Sequence, residues 1–385
     1  GRGRPAGPGP PRPPAARRPA GGPGPGPPPA AGRAIVGTGT IAGHFAEDIG
    51  HARGAYLAAV SSRSVERAAA FTARHGGRPF GDIEALVREP AVQAVYIASP
   101  NATHFDMARA VMAAGKAVLV EKPLVCTVED AERLAALAVQ YGTFCMEGMW
   151  SRFLPVVELA EQKIRSGSIG TVRRIRAELA FAHPYDPDSR FFDPAQGGGA
   201  LLDLGVYLVS LCQALMGRPD RVRGIWRAAP SGVDMAAEMV LGFGAVEAHL
   251  ACGFDRDGTN LFMIEGSRGT LVLQPHFISS RQLLAVGRIP AWGLSMLPGG
   301  SAPLRLFSKV AKRSWLPGVR RYDCAFDGYG LQFEIEAASR AVAQGQTASS
   351  IMPLAESVET LRIIEQVRAR PPARTGAGRS IRAGS

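Results

Sequence analysis

An α/β fold is predicted, with a doubly wound parallel sheet first and an α+β part on an open, mainly antiparallel sheet second. Three observations predict it. Between Arg33 and about residue 150, short apolar segments alternate with stretches of helical periodicity, and the first apolar segment runs into a glycine-rich turn. From Thr171 onward the pattern changes to longer segments that alternate in hydrophobicity.

The strand candidates of the first part are residues 34–37, 55–61, 94–98, 117–120 and 143–146. They are too continuously apolar to be half-exposed, so both faces of their sheet need cover. Residues 42–49, 64–74, 103–114 and 128–141 lie between them and have apolar residues three and four apart, as covering helices require. In the second part, residues 174–182, 223–227, 234–243, 246–253, 261–265 and 270–274 read as strands with one face packed on a helix over 201–215. Residues 327–344 read as a returning helix.

The 385 residues suffice for two domains, and 44 Lys and Arg against 33 Asp and Glu give a net charge of +11. Most of that charge lies at the ends. Residues 1–32 consist of 12 Pro, 9 Gly, 6 Ala and 5 Arg, which cannot bury a core and are expected to be disordered. Residues 368–385 carry five Arg and no acid, so they are expected to form a second disordered tail. The expected domains are therefore 33–150 and 151–367.

A fold with so little net charge of its own lacks the clustered basic face that nucleic acid needs. One exception is 303–321, where Arg305, Lys309, Lys312, Arg313, Arg320 and Arg321 meet no acid; it reads as the solvated face of a Pro- and Gly-rich insertion over 288–321, or as a short basic amphipathic helix. No apolar run reaches the roughly 18 residues of a membrane span. Arg17-Arg18 is followed by Pro, Gly and Ala rather than an apolar stretch, which argues against export. The five cysteines are odd in number and form no CxxC pair, so no disulfide framework and no metal are expected, and a reducing, cytoplasmic location fits.

The first strand leads into Gly37-Thr38-Gly39-Thr40-Ile41-Ala42, a G-x-G-x-x-A turn. Gly37 permits the tight turn, Gly39 lets a pyrophosphate approach the backbone, and Ala42 lets the helix close on the strand. About 20 residues on, an NAD-binding chain usually places an acid on the adenosine ribose. This chain has Ser61, Ser62, Arg63 and, one turn later, Arg67 instead. Hydroxyl and guanidinium donors suit a 2′-phosphate, so NADP(H) is expected over NAD(H), which stays open as a second cofactor. The competing reading makes both arginines exposed helix residues with Glu66 as their partner.

Two further turns lie at carboxyl ends of strands, where a doubly wound sheet holds its ligand. They are Ser99-Pro100-Asn101-Ala102-Thr103-His104 and Glu121-Lys122-Pro123. Downstream, Gly197-Gly198-Gly199 leads into a helix on which Asp203 and Tyr207, four apart, share a face. A secondary alcohol losing or gaining a hydride needs a group to move its hydroxyl proton. Tyr207 is a candidate, with the Lys122 ammonium favouring its phenolate or donating to the substrate oxygen. Asp203 would orient substrate hydroxyls or Lys122.

These motifs together resemble the glucose-fructose oxidoreductase, inositol dehydrogenase and rhizopine catabolism (Gfo/Idh/MocA) family, over most of residues 33–367. Tyr207 stands where much of that family has His, as in the branch containing dimeric dihydrodiol dehydrogenase and NADP-dependent xylose dehydrogenase. Met149-Trp150-Ser151-Arg152-Phe153 is similar to the same branch. The resemblance implies a Rossmann domain holding NADP(H) through the glycine loop, Ser62, Arg63, Arg67, Ser99, Pro100, Asn101, His104, Glu121, Lys122, Trp150 and Arg152. It also implies a substrate pocket of Trp150, Phe181, Asp203 and Tyr207, and a homodimer or homotetramer formed through the C-terminal sheet. The expected activity is hydride transfer between NADP(H) and a sugar, polyol or cyclic trans-dihydrodiol. Imine reduction, redox-assisted glycoside cleavage and non-catalytic sensing of NADP(H) remain open as other uses of the fold.

Overall fold

The structure, a computed structural model, describes residues 31–287 and 318–373. Residues 1–30, nearly all of the basic insertion and residues 374–385 lie outside the described residues.

Six parallel strands form the first sheet: β1 (Ala31–Val36), β2 (Ala55–Ser61), β3 (Arg78–Phe80), β4 (Ala94–Ile97), β5 (Ala117–Glu121) and β6 (Cys145–Gly148), in the order β3-β2-β1-β4-β5-β6. The helices between them are α1 (Thr40–Ile49), α2 (Val65–His75), α3 (Ile83–Arg88), α4 (His104–Ala113) and α5 (Val128–Tyr141). The order reverses between β1 and β4, so the loops at their carboxyl ends diverge and leave a crevice. β5 is buried along its whole length, as a strand covered on both faces must be.

β1 begins at Ala31, two residues inside the stretch expected to be disordered. Ala31 and Gly32 pair with Ala55 and Tyr56 of β2, and a Cβ on Gly32 would lie 1.9 Å from the carbonyl oxygen of Ala91. Backbone pairing thus includes Ala31 and Gly32 in the sheet, although their composition carries no strand signal. Deleting 1–30 is expected to leave the melting temperature and NADPH affinity unchanged. Deleting 1–36 removes the central strand, and thermal melts should then show no cooperative transition.

After α6 (Pro155–Arg165) comes β7 (Val172–Ala180), then a five-residue π turn over Leu201–Gly205 that continues into α7 (Val206–Met216). The stretch expected to be one α-helix therefore opens with a wider turn. Strands β8 (Arg221–Ala228), β9 (Asp234–Phe243), β10 (Val246–Gly253), β11 (Phe262–Gly266), β12 (Gly269–Leu273), β13 (Gln282–Gly287) and β14 (Val319–Asp323) complete an eight-stranded sheet. Its order is β14-β13-β12-β11-β7-β10-β9-β8, antiparallel except for the parallel pair β7 and β10. Arg320 and Arg321, expected in a loop or short helix, lie on β14.

The returning helix, α8, is Gln332–Ala343, shorter at its start than expected because residues 327–331 are a turn held by the Asp48 carboxylate. Asp48 accepts the backbone N–H groups of Tyr329, Gly330 and Leu331 and so caps α8 from α1. The last helix, α9 (Leu354–Arg368), packs against α5 and α7 and spans into the residues expected to form the basic tail. One connected apolar core joins both sheets. Its α7 part is apolar enough to meet the length and composition of a membrane span over Pro194–Met216, yet the most apolar 18 residues of that stretch are 78% buried inside the protein. It is the core helix under the second sheet.

Candidate active site

The crevice at the strand-order reversal opens into a cavity of about 850 Å³ that also reaches α7. Its floor is the glycine turn. Gly37 has φ +113°, and a Cβ there would sit 2.3 Å from the Ala98 carbonyl oxygen, so the close approach of β1 to the β4 loop requires glycine. Gly39 is different: nothing lies within 4 Å of where its Cβ would be. Protein packing does not demand that glycine. A ligand against the N-terminus of α1 does, since a side chain would fill the cradle and block the free N–H groups. Ala42 is fully buried, which keeps α1 close to the sheet.

The structure brings Thr38, Thr40 and Ile41 to the same wall, and Ser61, Ser62, Arg63 and Arg67 to its far end. Ser61 is buried at the end of β2, whereas Arg63 and Arg67 are exposed. Glu66 takes the Ser64 hydroxyl at 2.6 Å instead of either guanidinium, and among the described residues neither arginine forms an ion pair. Ser64 also caps α2 by accepting the Arg67 N–H. The donor set fits a dinucleotide carrying an extra phosphate.

Ser99, Pro100 and Asn101 line the cavity on the β4 side. Asn101 donates to the Gly197 carbonyl at 3.3 Å, which joins the two parts of the chain at the mouth of the site. His104 does not reach the cavity. Its ring is buried, with nitrogens 2.9 and 3.0 Å from the carbonyl oxygens of Pro123 and Ser99, so it ties together the two loops that do. Glu121 accepts the Tyr96 hydroxyl and the Lys122 backbone N–H. Burial pushes its carboxyl up to about 7, against Tyr96 and Lys122, which lower it.

Lys122, Asp203 and Tyr207 meet at the inner end. Lys122 Nζ donates to the Asp203 backbone carbonyl at 2.7 Å and to its Oδ1 at 3.0 Å, and it sits 4.9 Å from the centre of the Tyr207 ring. Of the two roles open to Asp203, the geometry matches orientation of the ammonium. Although burial acts the other way, Asp203 and Tyr207 hold the Lys122 pKa above its ordinary value. Tyr207 is 5% exposed, and its hydroxyl accepts the Trp150 indole N–H at 3.0 Å. Burial pushes its phenol well above the ordinary value of 10, and Lys122, which lowers it, does not compensate. Lys122 thus favours the phenolate as expected, while desolvation acts more strongly in the opposite direction and favours the protonated phenol.

Three more expected residues are absent from the described lining: Trp150, which is buried behind Tyr207 and reaches the site only through its indole N–H, Arg152 and Phe181. Arg152 is buried; its guanidinium donates to Ser210 Oγ at 2.7 Å, to the Ile351 carbonyl at 3.0 Å and to Glu356, so its donors brace α7 rather than face the cavity. Phe181 stacks on His276, ring centres 5.0 Å apart, beside the cavity rather than on its described lining. Sequence reasoning missed His44, one turn into α1, and the connection Gly81-Asp82-Ile83-Glu84, which all line the cavity. It also missed Arg190, on the wall beside Asn101 and Lys122, whose guanidinium lies over the Phe191 ring at 4.2 Å.

Residues 32–149 match the model of the oxidoreductase family with an NAD-binding Rossmann fold, and residues 157–272 match the GFO/IDH/MocA C-terminal domain. The chain is 30% identical over 318 residues to trans-1,2-dihydrobenzene-1,2-diol dehydrogenase of Homo sapiens, covering 81% of this chain and 87% of that one. It is 35% identical over 247 residues to an NADP(+)-dependent scyllo-inositol 2-dehydrogenase of Bacillus subtilis, covering 62% and 75% respectively. Among solved structures, a 3-ketoreductase from Actinomadura kijaniata in complex with NADP and TDP-benzene shares the fold, with a TM-score of 0.72 at 23% identity over 88% of this chain and 97% of that one. The glycine cradle, the Lys122–Asp203 pair and both domain matches converge on one conclusion: the chain belongs to the Gfo/Idh/MocA family of oxidoreductases.

Proposed function

We propose that the protein is an NADP-dependent oxidoreductase that interconverts a secondary alcohol and a carbonyl on a sugar, polyol or cyclic trans-dihydrodiol. The observation that carries this reading is the contact of Lys122 with Asp203 and Tyr207 at the inner end of a dinucleotide-sized cavity. Bound nicotinamide supplies or accepts the hydride. This chain's residues handle the proton. The Tyr207 hydroxyl accepts from Trp150, which leaves its own O–H free to donate to the oxygen of a carbonyl being reduced. Two of the three Lys122 N–H bonds go to Asp203, and the third can reach the same substrate oxygen. Burial raises the Tyr207 pKa, which favours the protonated phenol as an acid and suits reduction; oxidation calls on the phenolate, which Lys122 favours.

The 2′-phosphate of NADP(H) would be held by Ser62, Arg63 and Arg67, and the names of the inositol dehydrogenase and ketoreductase relatives point to the same cofactor. The substrate classes are those named for the relatives, diols and inositols. Dimerisation through the second sheet and a cytoplasmic location belong to the same proposal. Five free thiols support the second, and size-exclusion chromatography with light scattering tests the first. An absorbance screen at 340 nm tests the activity, with NADP(H) against aldopyranoses, inositols, keto sugars and trans-dihydrodiols. Tight NADPH binding with no turnover of any of them would leave a non-catalytic NADP(H) sensor as the better reading.

A further inference from the structure

The third glycine of Gly197-Gly198-Gly199 is required by an ion pair. Gly199 has φ +111°, and a Cβ there would lie 2.6 Å from Asp234 Oδ1 and 2.7 Å from Arg368 Nη2. Asp234 opens β9 and is 1% exposed. One of its carboxylate oxygens accepts the backbone N–H of Leu201, the first residue of the π turn; the other accepts Arg368 Nε at 2.7 Å. Arg368 is the last residue of α9, and its Nη2 also reaches the Gly198 carbonyl at 3.3 Å. A turn that begins a helix has orphan N–H groups, and a carboxylate placed on one caps it and favours the helix dipole. Buried, that carboxylate needs a counter-charge, and Arg368 is the counter-charge.

From this geometry we infer that Asp234 and Arg368 are a positioning pair for catalysis, holding the π turn so that Asp203 and Tyr207 meet Lys122. The inference rests on the reading of Tyr207 as the proton-transfer group. Asp203 lies two residues beyond the capped amide and Tyr207 six, and the Asp203 amide itself donates to the Gly199 carbonyl at 3.1 Å. A slack first turn therefore displaces both groups from Lys122. Displacements of about 1 Å at a reacting group cost up to roughly a hundredfold in rate. Neither Asp234 nor Arg368 lines the cavity, so cofactor binding should be untouched.

The test uses the full chain and two truncations, one ending at Ala373 and one at Val367, with Arg368→Met, Arg368→Lys and Asp234→Asn. Rates are read with NADP⁺ and scyllo-inositol or trans-1,2-dihydrobenzene-1,2-diol. Ending at Ala373 should leave turnover unchanged, while ending at Val367 or Arg368→Met should lower kcat about ten- to hundredfold with the NADPH Kd within about threefold. Arg368→Lys should recover most of that loss. In a Tyr207→Phe background, Arg368→Met should cost several-fold less than in the wild type, because only the placement of Asp203 on Lys122 is left to lose. A loss that multiplies with that of Tyr207→Phe overturns the inference, as does an unchanged kcat in Arg368→Met. If Arg368→Met does not fold, Asp234→Asn carries the same comparison. Amide hydrogen exchange at residues 201–207 in the NADPH complex is read alongside, and protection as in the wild type overturns the inference whether or not a substrate is found. Absence of turnover in the wild type, by contrast, counts against the proposed function itself.

Discussion

Tyr207→Phe is expected to lower turnover by roughly a hundred- to ten-thousandfold and to leave the NADPH dissociation constant within about a factor of three. The ring stays packed, so only the hydroxyl and its bond to the Trp150 indole are lost. Lys122→Met is also expected to abolish most activity. It removes the donor to the substrate oxygen, strips Asp203 of its counter-charge and takes away the main influence that lowers the Tyr207 pKa. Because the two groups act as a unit, the double variant should be little worse than either single one.

The direction of the Tyr207 shift fixes the pH behaviour. With its pKa raised above 10 by burial, the phenol is protonated between about pH 6 and 9, so the reductive rate should be level there. The oxidative rate needs phenolate and should climb by about tenfold per pH unit over the same range, provided proton transfer limits it. Steady-state rates in both directions on the four proteins decide. Near-normal turnover by Tyr207→Phe, or an oxidative rate that is flat with pH, would return the tyrosine to a packing role.

The two layers of the fold were legible because their signals are local. α5 was read at its observed bounds, Val128–Tyr141, since Thr127 caps it by accepting the Asp130 N–H and Gly142 ends it in a left-handed conformation. β9 and β10 likewise match their expected ranges. What was missed has either too little length or a non-local cause. β3 has three residues and α3 six, too few for any periodicity. β14, with the sequence VRRYD, reads as a basic loop until it pairs with β13. The parallel pairing of β7 with β10 depends on register between distant segments.

The site was legible as a set of residues but not as a charge state. Glycine loop, Lys122, Asp203 and Tyr207 do converge on one cavity. Whether Lys122 ionises Tyr207 depends on how dry the phenol is, and the sequence carries no measure of that. His104 and Arg152 are polar residues beside ligand-binding turns, and their partners are backbone carbonyls and α7, visible only in three dimensions. Arg368 was assigned to a tail by its basic, acid-free context, yet it holds a buried carboxylate on the far side of the chain. An isolated arginine in a basic stretch gives no hint of such a partner.

The remaining large effect is cofactor choice. NADPH should bind on the order of a hundredfold more tightly than NADH, because two charge-assisted hydrogen bonds at about 1.5 kcal/mol each act only on the 2′-phosphate. What supports the proposed role of Arg63 and Arg67 is that both line the cavity with Ser62, just after β2, and that Glu66 is engaged by Ser64. Asp82 and Glu84 lie at the same end, which sets a limit on the attraction. Asp82 Oδ1 is occupied by the Ala85 N–H at 2.6 Å, capping α3, so its carboxylate is turned to the helix it starts. Arg63→Ala and Arg67→Ala should each weaken NADPH binding by about tenfold and leave NADH within about twofold. Both guanidinium groups are exposed, so the NADPH constant should also weaken as salt rises from low to physiological strength, while that of the double variant should respond much less. Titrations by nucleotide fluorescence at two salt concentrations distinguish the outcomes. Equal affinities for the two cofactors in the wild type, or NADPH binding indifferent to both arginines, would place Arg63 and Arg67 among the solvated residues of α2 and its lead-in, and return the ribose to the carboxylates of the β3–α3 turn.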